Sequence, residues 1–144
     1  MASADRTKAL VHRYFHELWK GDGLEAADEL LAPDVAVRGS LGVTARGPDG
    51  LRTYVRMARA ALPDLRLDVE QILVERDRVA ARVRYSGTHL GPLFGVAPTG
   101  RPVSYPGVTL FRVAGGRITE VWSVGDTLSL MSQMGVFPGL PAGE

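Results

Sequence analysis

Residues 103–124, VSYPGVTLFRVAGGRITEVWSV, decide how this chain folds. Two apolar-rich runs, Val103 to Val113 and Arg117 to Val124, flank Ala114-Gly115-Gly116. Paired glycines accept the positive φ angles of a two-residue β-turn, so the stretch reads as an antiparallel hairpin. Tyr105, Thr109, Phe111 and Ser123 then share one face, and Val108, Leu110, Trp122 and Val124 share the other. The first face suits a core. An apolar second face predicts a contact surface and hence a homodimer.

Upstream, two more alternating runs extend the sheet. Leu65 to Val74 sets Leu65, Leu67 and Val69 against Arg66, Asp68 and Glu70. Arg78 to Ser86 sets Val79, Ala81, Val83 and Tyr85 against polar partners. Between these runs and the hairpin, Gly87 to Pro102 is rich in Gly and Pro and reads as a long loop. A loop of that length is uncommon in a small domain unless it works, so His89 to Arg101 is expected to gate a pocket.

Before the strands the period becomes helical. Leu10, Val11, Tyr14, Phe15 and Leu18 predict an amphipathic helix from about Ser3 to Trp19, with Ser3 as N-cap and Lys20-Gly21-Asp22-Gly23 as its stop. Leu24, Ala27, Leu30 and Leu31 mark a short second helix, ended by Ala32-Pro33-Asp34 and followed by a short strand from Val35 to Arg38. After a Gly-rich loop, Gly47-Pro48-Asp49 starts a third helix that turns Leu51, Tyr54, Val55, Ala58 and Leu62 inward. At the far end Asp126 caps a last helical stretch through Met134, Gly135 stops it, and Phe137 to Glu144 reads as a loose tail. Helices first and strands after give an α+β class. The expectation is one domain over residues 1–144: a curved antiparallel sheet wrapped around N-terminal helices, forming a cone with a central pocket.

Composition narrows the function classes. A net charge of +1 offers no field for a phosphate backbone, so no nucleic-acid partner is expected. No apolar run spans a bilayer and the first residues lack a signal-peptide core, which predicts no membrane role and a cytoplasmic protein. With no cysteine, disulfides, thiolate nucleophiles and sulfur metal sites are excluded. No phosphate-cradling loop, dinucleotide glycine pattern or Ser-His-Asp order is present, and no cofactor is expected.

Several segments read together as a family pattern. They are Trp19-Lys20-Gly21-Asp22, Leu31-Ala32-Pro33-Asp34, Gly87-Thr88-His89 and Gly95-Val96-Ala97-Pro98-Thr99-Gly100-Arg101, followed by Phe111-Arg112-Val113 and by Glu120 to Asp126 leading into Gln133-Met134-Gly135. From about Lys8 to Gly135 the chain resembles the SnoaL-like polyketide cyclases, within the nuclear-transport-factor-2-like cone fold. The resemblance implies an enzyme acting on an apolar polyketide-like small molecule. The ring-closing members use a His and an Asp on the last two strands, and these positions fall here on Thr109 and Ser123. Hydroxyls exchange hydrogen bonds but do not shuttle protons near neutral pH. Other pocket positions of the cyclases fall on Trp19 and Tyr54.

The resulting expectation is a cofactor-independent cyclase of antibiotic-type biosynthesis that works by shaping its substrate, for instance toward a [4+2] closure. The catalytic candidates are His89, Tyr54 and Ser123; Trp19, Tyr85, Tyr105, Thr109 and Phe111 are expected to bind substrate. His89 is equally well read as a pin for the long loop. Arg38 is either solvated or holds a carboxylate at the pocket mouth, and Trp122 alternates away from the pocket toward a subunit contact. His12 and His16 have a metal-compatible spacing but no acidic third ligand, so no metal is expected. The competing functions are a component of polyketide hydroxylation and a non-catalytic binding protein of the same fold.

Overall fold

The computed structural model describes residues 3–20 and 24–136. The expected glycine stop at Gly21 to Gly23, the side chain of Leu24 and the tail from Phe137 to Glu144 lie outside the described residues.

Helix α1 (Ala4–His16) starts where the Ser3 hydroxyl accepts the Arg6 N–H at 3.2 Å, the expected N-cap. It ends three residues sooner than the periodicity predicts. The chain tightens into a 3-10 turn, Leu18–Lys20, which turns both Leu18 and Trp19 inward. A second 3-10 turn, Leu24–Ala26, and the single-turn helix α2 (Ala27–Leu30) lead into β1 (Leu31–Arg38). After a tight turn come β2 (Thr44–Arg46) and α3 (Gly47–Ala61), with Pro48 in the first helical turn as expected. The long strands are β3 (Arg66–Glu75), β4 (Arg78–Thr88), β5 (Pro102–Ala114) and β6 (Arg117–Gly125). Helix α4 (Thr127–Gln133) closes the fold. Asp126 caps it by accepting the Ser129 N–H at 3.0 Å, which gives this carboxylate its structural role.

The six strands form one sheet in the order β2-β1-β6-β5-β4-β3. Four of the five pairings are antiparallel, but β1 runs parallel to β6, so the sheet is mixed and not wholly antiparallel as expected. Strand β1 also begins at Leu31, four residues before the predicted start, by pairing Leu31 with Ile118. The register then shifts before Ala36, across Pro33, which has no N–H to give a ladder. The Gly115-Gly116 turn has φ angles of 59° and 76°, the two positive values its hairpin needs.

Helices α1 and α3 fill the concave side of the sheet. Val11, Leu18, Leu30, Leu51, Val55, Val83 and Ile118 are fully buried there, each such residue contributing about 1.5–3 kcal/mol. On the convex side Val108, Leu110, Trp122 and Val124 are exposed, Trp122 at 40%. Arg38 belongs to that side: its guanidinium lies 5.2 Å from the Trp122 ring centroid and hydrogen-bonds the Ser123 carbonyl. It therefore covers Trp122 and does not reach the interior.

Candidate functional site

The interior site begins with a turn. Gly39 donates to the Val43 carbonyl at 2.8 Å and Gly42 to the Gly39 carbonyl at 2.9 Å, folding the link between β1 and β2 back on itself. This turn presents Ser40 and Leu41 to the open end of the cone. The Leu41 N–H donates to the Tyr54 hydroxyl at 3.1 Å, fixing the phenol that α3 supplies. Strands β4 and β5 add Tyr85 and Tyr105, paired in register, with ring centroids 4.9 Å apart and planes 20° from parallel.

Each phenol rests on a glycine. A Cβ on Gly39 would sit 2.0 Å from Tyr54 Cζ, one on Gly107 2.7 Å from Tyr85 Cε2, and one on Gly125 3.1 Å from Tyr105 Cε2. Space for the three rings is thus written into three backbone positions. Trp19 meets Tyr54 edge-on at 5.6 Å, and Arg59 donates to the Trp19 carbonyl at 2.7 Å, tying the end of the first helical segment to α3.

The enclosed space is lined by Trp19, Tyr54, Tyr85, Tyr105, Ser40 and Leu93, with aliphatic neighbours from α3 and the turn. It is small. About 10 Å³ is open to the centre of a water-sized sphere, which is room for about one water molecule. The aromatic rings fill the volume that a central pocket was expected to leave free. Roomier depressions lie outside, such as one of about 350 Å³ along Leu73, Ala80 and Leu110, but they sit on the open convex face between surface charges.

Burial pushes the Tyr54, Tyr85 and Tyr105 phenols above their ordinary value, opposed chiefly by the Leu41 N–H at Tyr54 and by the nearby hydroxyls of Thr109 at Tyr85 and Ser40 at Tyr105. The phenols therefore stay protonated and act as donors. Thr109 and Ser123, the cross-strand pair expected to face substrate, hydrogen-bond each other at 2.8 Å below this layer, and neither lines the space. Phe111 lies farther down, packed edge-on against Tyr14 at 5.1 Å and Phe15 at 5.6 Å. It is core, not wall.

His89 also stands apart from the lining. It is fully buried, its Nδ1 lies 2.9 Å from the Thr99 hydroxyl and 3.2 Å from the Thr99 N–H, and its backbone bonds Gly100 and Arg101. That is the loop-pinning alternative. Its Nε2, like Trp19 Nε1, has no hydrogen-bond partner among the described residues. The indole N–H influences the Tyr14 hydroxyl without reaching bonding geometry. His12 and His16 stack at 5.7 Å on the exposed side of α1. No group of metal-ligating side chains occurs among the described residues.

Of the residues expected at the site, the structure gathers Trp19, Tyr54, Tyr85 and Tyr105, and leaves Thr109, Phe111, Ser123 and His89 outside the lining. Ser40, Leu41, Ala61 and Leu93 are the lining residues that sequence reasoning missed. A serine inside a Gly-rich loop carries no periodic signal, and only the pairing of β1 with β6 brings it over the tyrosines.

The sequence matches the SnoaL-like polyketide cyclase family over residues 9–134. The chain belongs to this family. Solved structures agree. TsrD from Streptomyces laurentii is 26% identical with a TM-score of 0.85, covering 95% of this chain and 100% of that one. AclR from Streptomyces galilaeus, named as a candidate hydroxylase, is 31% identical with a TM-score of 0.80, covering 97% and 91%. IdmH from Streptomyces antibioticus, named as a candidate polyketide cyclase, is 30% identical with a TM-score of 0.77, covering 90% and 98%. No curated protein sequence matches. The α+β cone of this SnoaL-like chain is the one the family resemblance implied. No helix among its described residues is long and apolar enough to cross a membrane.

Proposed function

We propose that this SnoaL-like protein closes a ring on a polyketide-derived intermediate of natural-product biosynthesis, without a cofactor and mainly by shaping the substrate. The observation that carries the reading is the closed layer of Tyr54, Tyr85, Tyr105 and Trp19 in a family of polyketide cyclases, with no acid–base pair beside it. Holding a flexible chain near its reactive shape contributes up to about 7–11 kcal/mol in the best intramolecular cases. Neutral phenols add hydrogen bonds to a carbonyl as charge develops on it. A [4+2] closure needs no proton transfer and suits such walls. Substrate binding then requires the cover formed by Leu93 and Leu41 to give way, because the resting space is too small for a polyketide.

The protein acts in the cytoplasm as a single-domain subunit of a homodimer joined through Val108, Leu110, Trp122 and Val124. Support for the dimer is the exposure of these four residues on one sheet face. Single-turnover incubation with linear polyketide intermediates, followed by mass and ring analysis of the product, tests the activity. A cyclised isomer of unchanged mass supports it. A product heavier by one oxygen favours hydroxylation, the second reading, which the 31% identity to AclR supports.

A further inference from the structure

Arg59 lies half-buried in the last turn of α3, with no ion-pair partner among the described residues. Its guanidinium donates to three carbonyls instead. Nη1 reaches Trp19 at 2.7 Å and Leu65 at 3.1 Å, and Nη2 reaches Pro63 at 3.3 Å. A guanidinium carries five N–H donors in a fixed fork, so the Nε–H and one Nη2–H remain. The carbonyls orient the group without cancelling its charge. Asp64 feels that charge, but its two oxygens are taken by the Thr88 N–H and hydroxyl, each at 2.7 Å.

Arg59 opens onto a depression of about 320 Å³ between the end of α1 and the start of β3. That volume is within the range of small-molecule sites, about 300–1,000 Å³. Phe15, Trp19, Leu65 and Leu67 give it an apolar wall. Lys20 and Arg66 join Arg59 around it, against a single carboxylate, Asp68, which already pairs with Arg66 at 3.1 Å. Trp19 and Leu65 also line the enclosed phenol space, so the two spaces share a wall.

We infer that this depression is a second binding site, separate from the phenol layer, for an apolar carboxylate whose acid group meets Arg59. Two donors on one planar fork suit the two oxygens of a carboxylate. Because three carbonyls already fix the guanidinium, a ligand has little ordering left to impose. Its carbon skeleton then covers the wall formed by Trp19 and Leu67. The site stands whether or not the chain closes rings.

The test uses hydrocinnamate, its neutral counterpart hydrocinnamyl alcohol, and acetate, each titrated calorimetrically into the protein at low salt. Wild type should bind hydrocinnamate at least about tenfold more tightly than either, since only it offers both charge and skeleton. Added salt should weaken the acid and leave the alcohol unchanged. In the Trp122→Phe protein, whose one tryptophan is Trp19, the acid should shift the indole fluorescence. Arg59→Lys keeps the charge and removes the fork, so it should weaken the acid about tenfold or more and spare the alcohol. Tyr105→Phe should leave the acid's affinity as it is. If Arg59→Lys does not fold, the Lys20→Ala, Arg66→Ala double variant, changed only on the exposed rim, is read in the same way. Unchanged acid affinity in the folded variant overturns the inference, as does equal binding of acid and alcohol, or of acid and acetate, by the wild type. Acid binding that is lost in Tyr105→Phe and kept in Arg59→Lys overturns it too, because the ligand is then among the phenols.

Discussion

Thr109 Oγ1 and Ser123 Oγ lie 2.8 Å apart across the β5–β6 ladder, each buried and each the other's nearest hydroxyl partner. These are the positions where ring-closing relatives were expected to hold an acid and a base. Here they hold a closed hydroxyl pair beneath the phenol layer. The pair is a structural tie under the proposed site.

Removing one member strands the other, so Thr109→Val and Ser123→Ala should each destabilise the fold by about 1–3 kcal/mol. The double variant should cost clearly less than the sum, because no orphan remains. Denaturant unfolding checks this. Single-turnover rates should fall about tenfold or less in the variants, since 1.4 kcal/mol corresponds to a factor of ten. A thousandfold loss in folded Ser123→Ala would place this hydroxyl in the chemistry.

Burial raises all four tyrosines above their ordinary value. A phenol whose folded pKa is raised contributes stability that is fully present below the unfolded value of about 10. That stability is lost as pH climbs from there toward the folded value. Stability should therefore hold steady up to about pH 10 and then decline, with tyrosinate absorbance appearing together with loss of structure. Reversible ionisation of a tyrosine near pH 10 in the folded protein would contradict the closed phenol layer.

The glycine seats make a steric prediction. Gly39→Ala puts a Cβ 2.0 Å from Tyr54 Cζ, and no small shift relieves that contact. The expected cost is about 1–3 kcal/mol, as for other overpacked cores. Tyr54→Phe should not rescue it, because the clash includes ring carbons, whereas Tyr54→Leu should recover part of the loss. Thermal melts of the three proteins decide it.

The convex face should bring two copies together. Trp122→Glu or Leu110→Arg places a charge where an apolar contact is proposed, and should yield monomers by light scattering at micromolar concentration while circular dichroism stays unchanged. A wild-type protein that is already monomeric would remove the proposed dimer.

Much of this was legible in local pattern. The Gly115-Gly116 hairpin, the α3 start at Pro48, the Ser3 and Asp126 caps and the inward tyrosines all follow from short-range chemistry that the fold does not override. The missed features depend on distant partners. Strand β1 is parallel to β6 because the chain crosses from the helical layer, and nothing between Leu31 and Arg38 encodes its neighbour. Ser40 gains its place only through that pairing. Alternation could place Thr109, Phe111 and Ser123 inside, but not say how deep below the lining each one falls.

A ligand enters past the loop between β4 and β5. Leu93 is buried against the site while its neighbour Phe94 is 44% exposed. Leu93 and Val96 exchange backbone hydrogen bonds at 3.1 and 2.8 Å around a two-residue turn, with φ of 51° at Phe94 and 74° at Gly95. A phenylalanine in the left-handed region costs on the order of 1–2 kcal/mol, so the tip is held in place against local strain. The base of the loop is firmer: Thr88 donates twice to Asp64 at 2.7 Å, and Leu90 and Gly91 both donate to the Ala61 carbonyl. The tip is therefore the part expected to lift, carrying Leu93 with it, while His89 and Thr99 hold the base. Leu93→Ala should cost about 2–5 kcal/mol in stability, as other buried leucines do, and should speed association of a small aryl ketone such as benzoylacetone by opening the wall. Phe94→Gly should stabilise the resting turn by removing the left-handed strain, and should slow association by making the lifted state relatively less favourable. Stopped-flow association rates that are the same in all three proteins would show that ligands reach the phenols by another path.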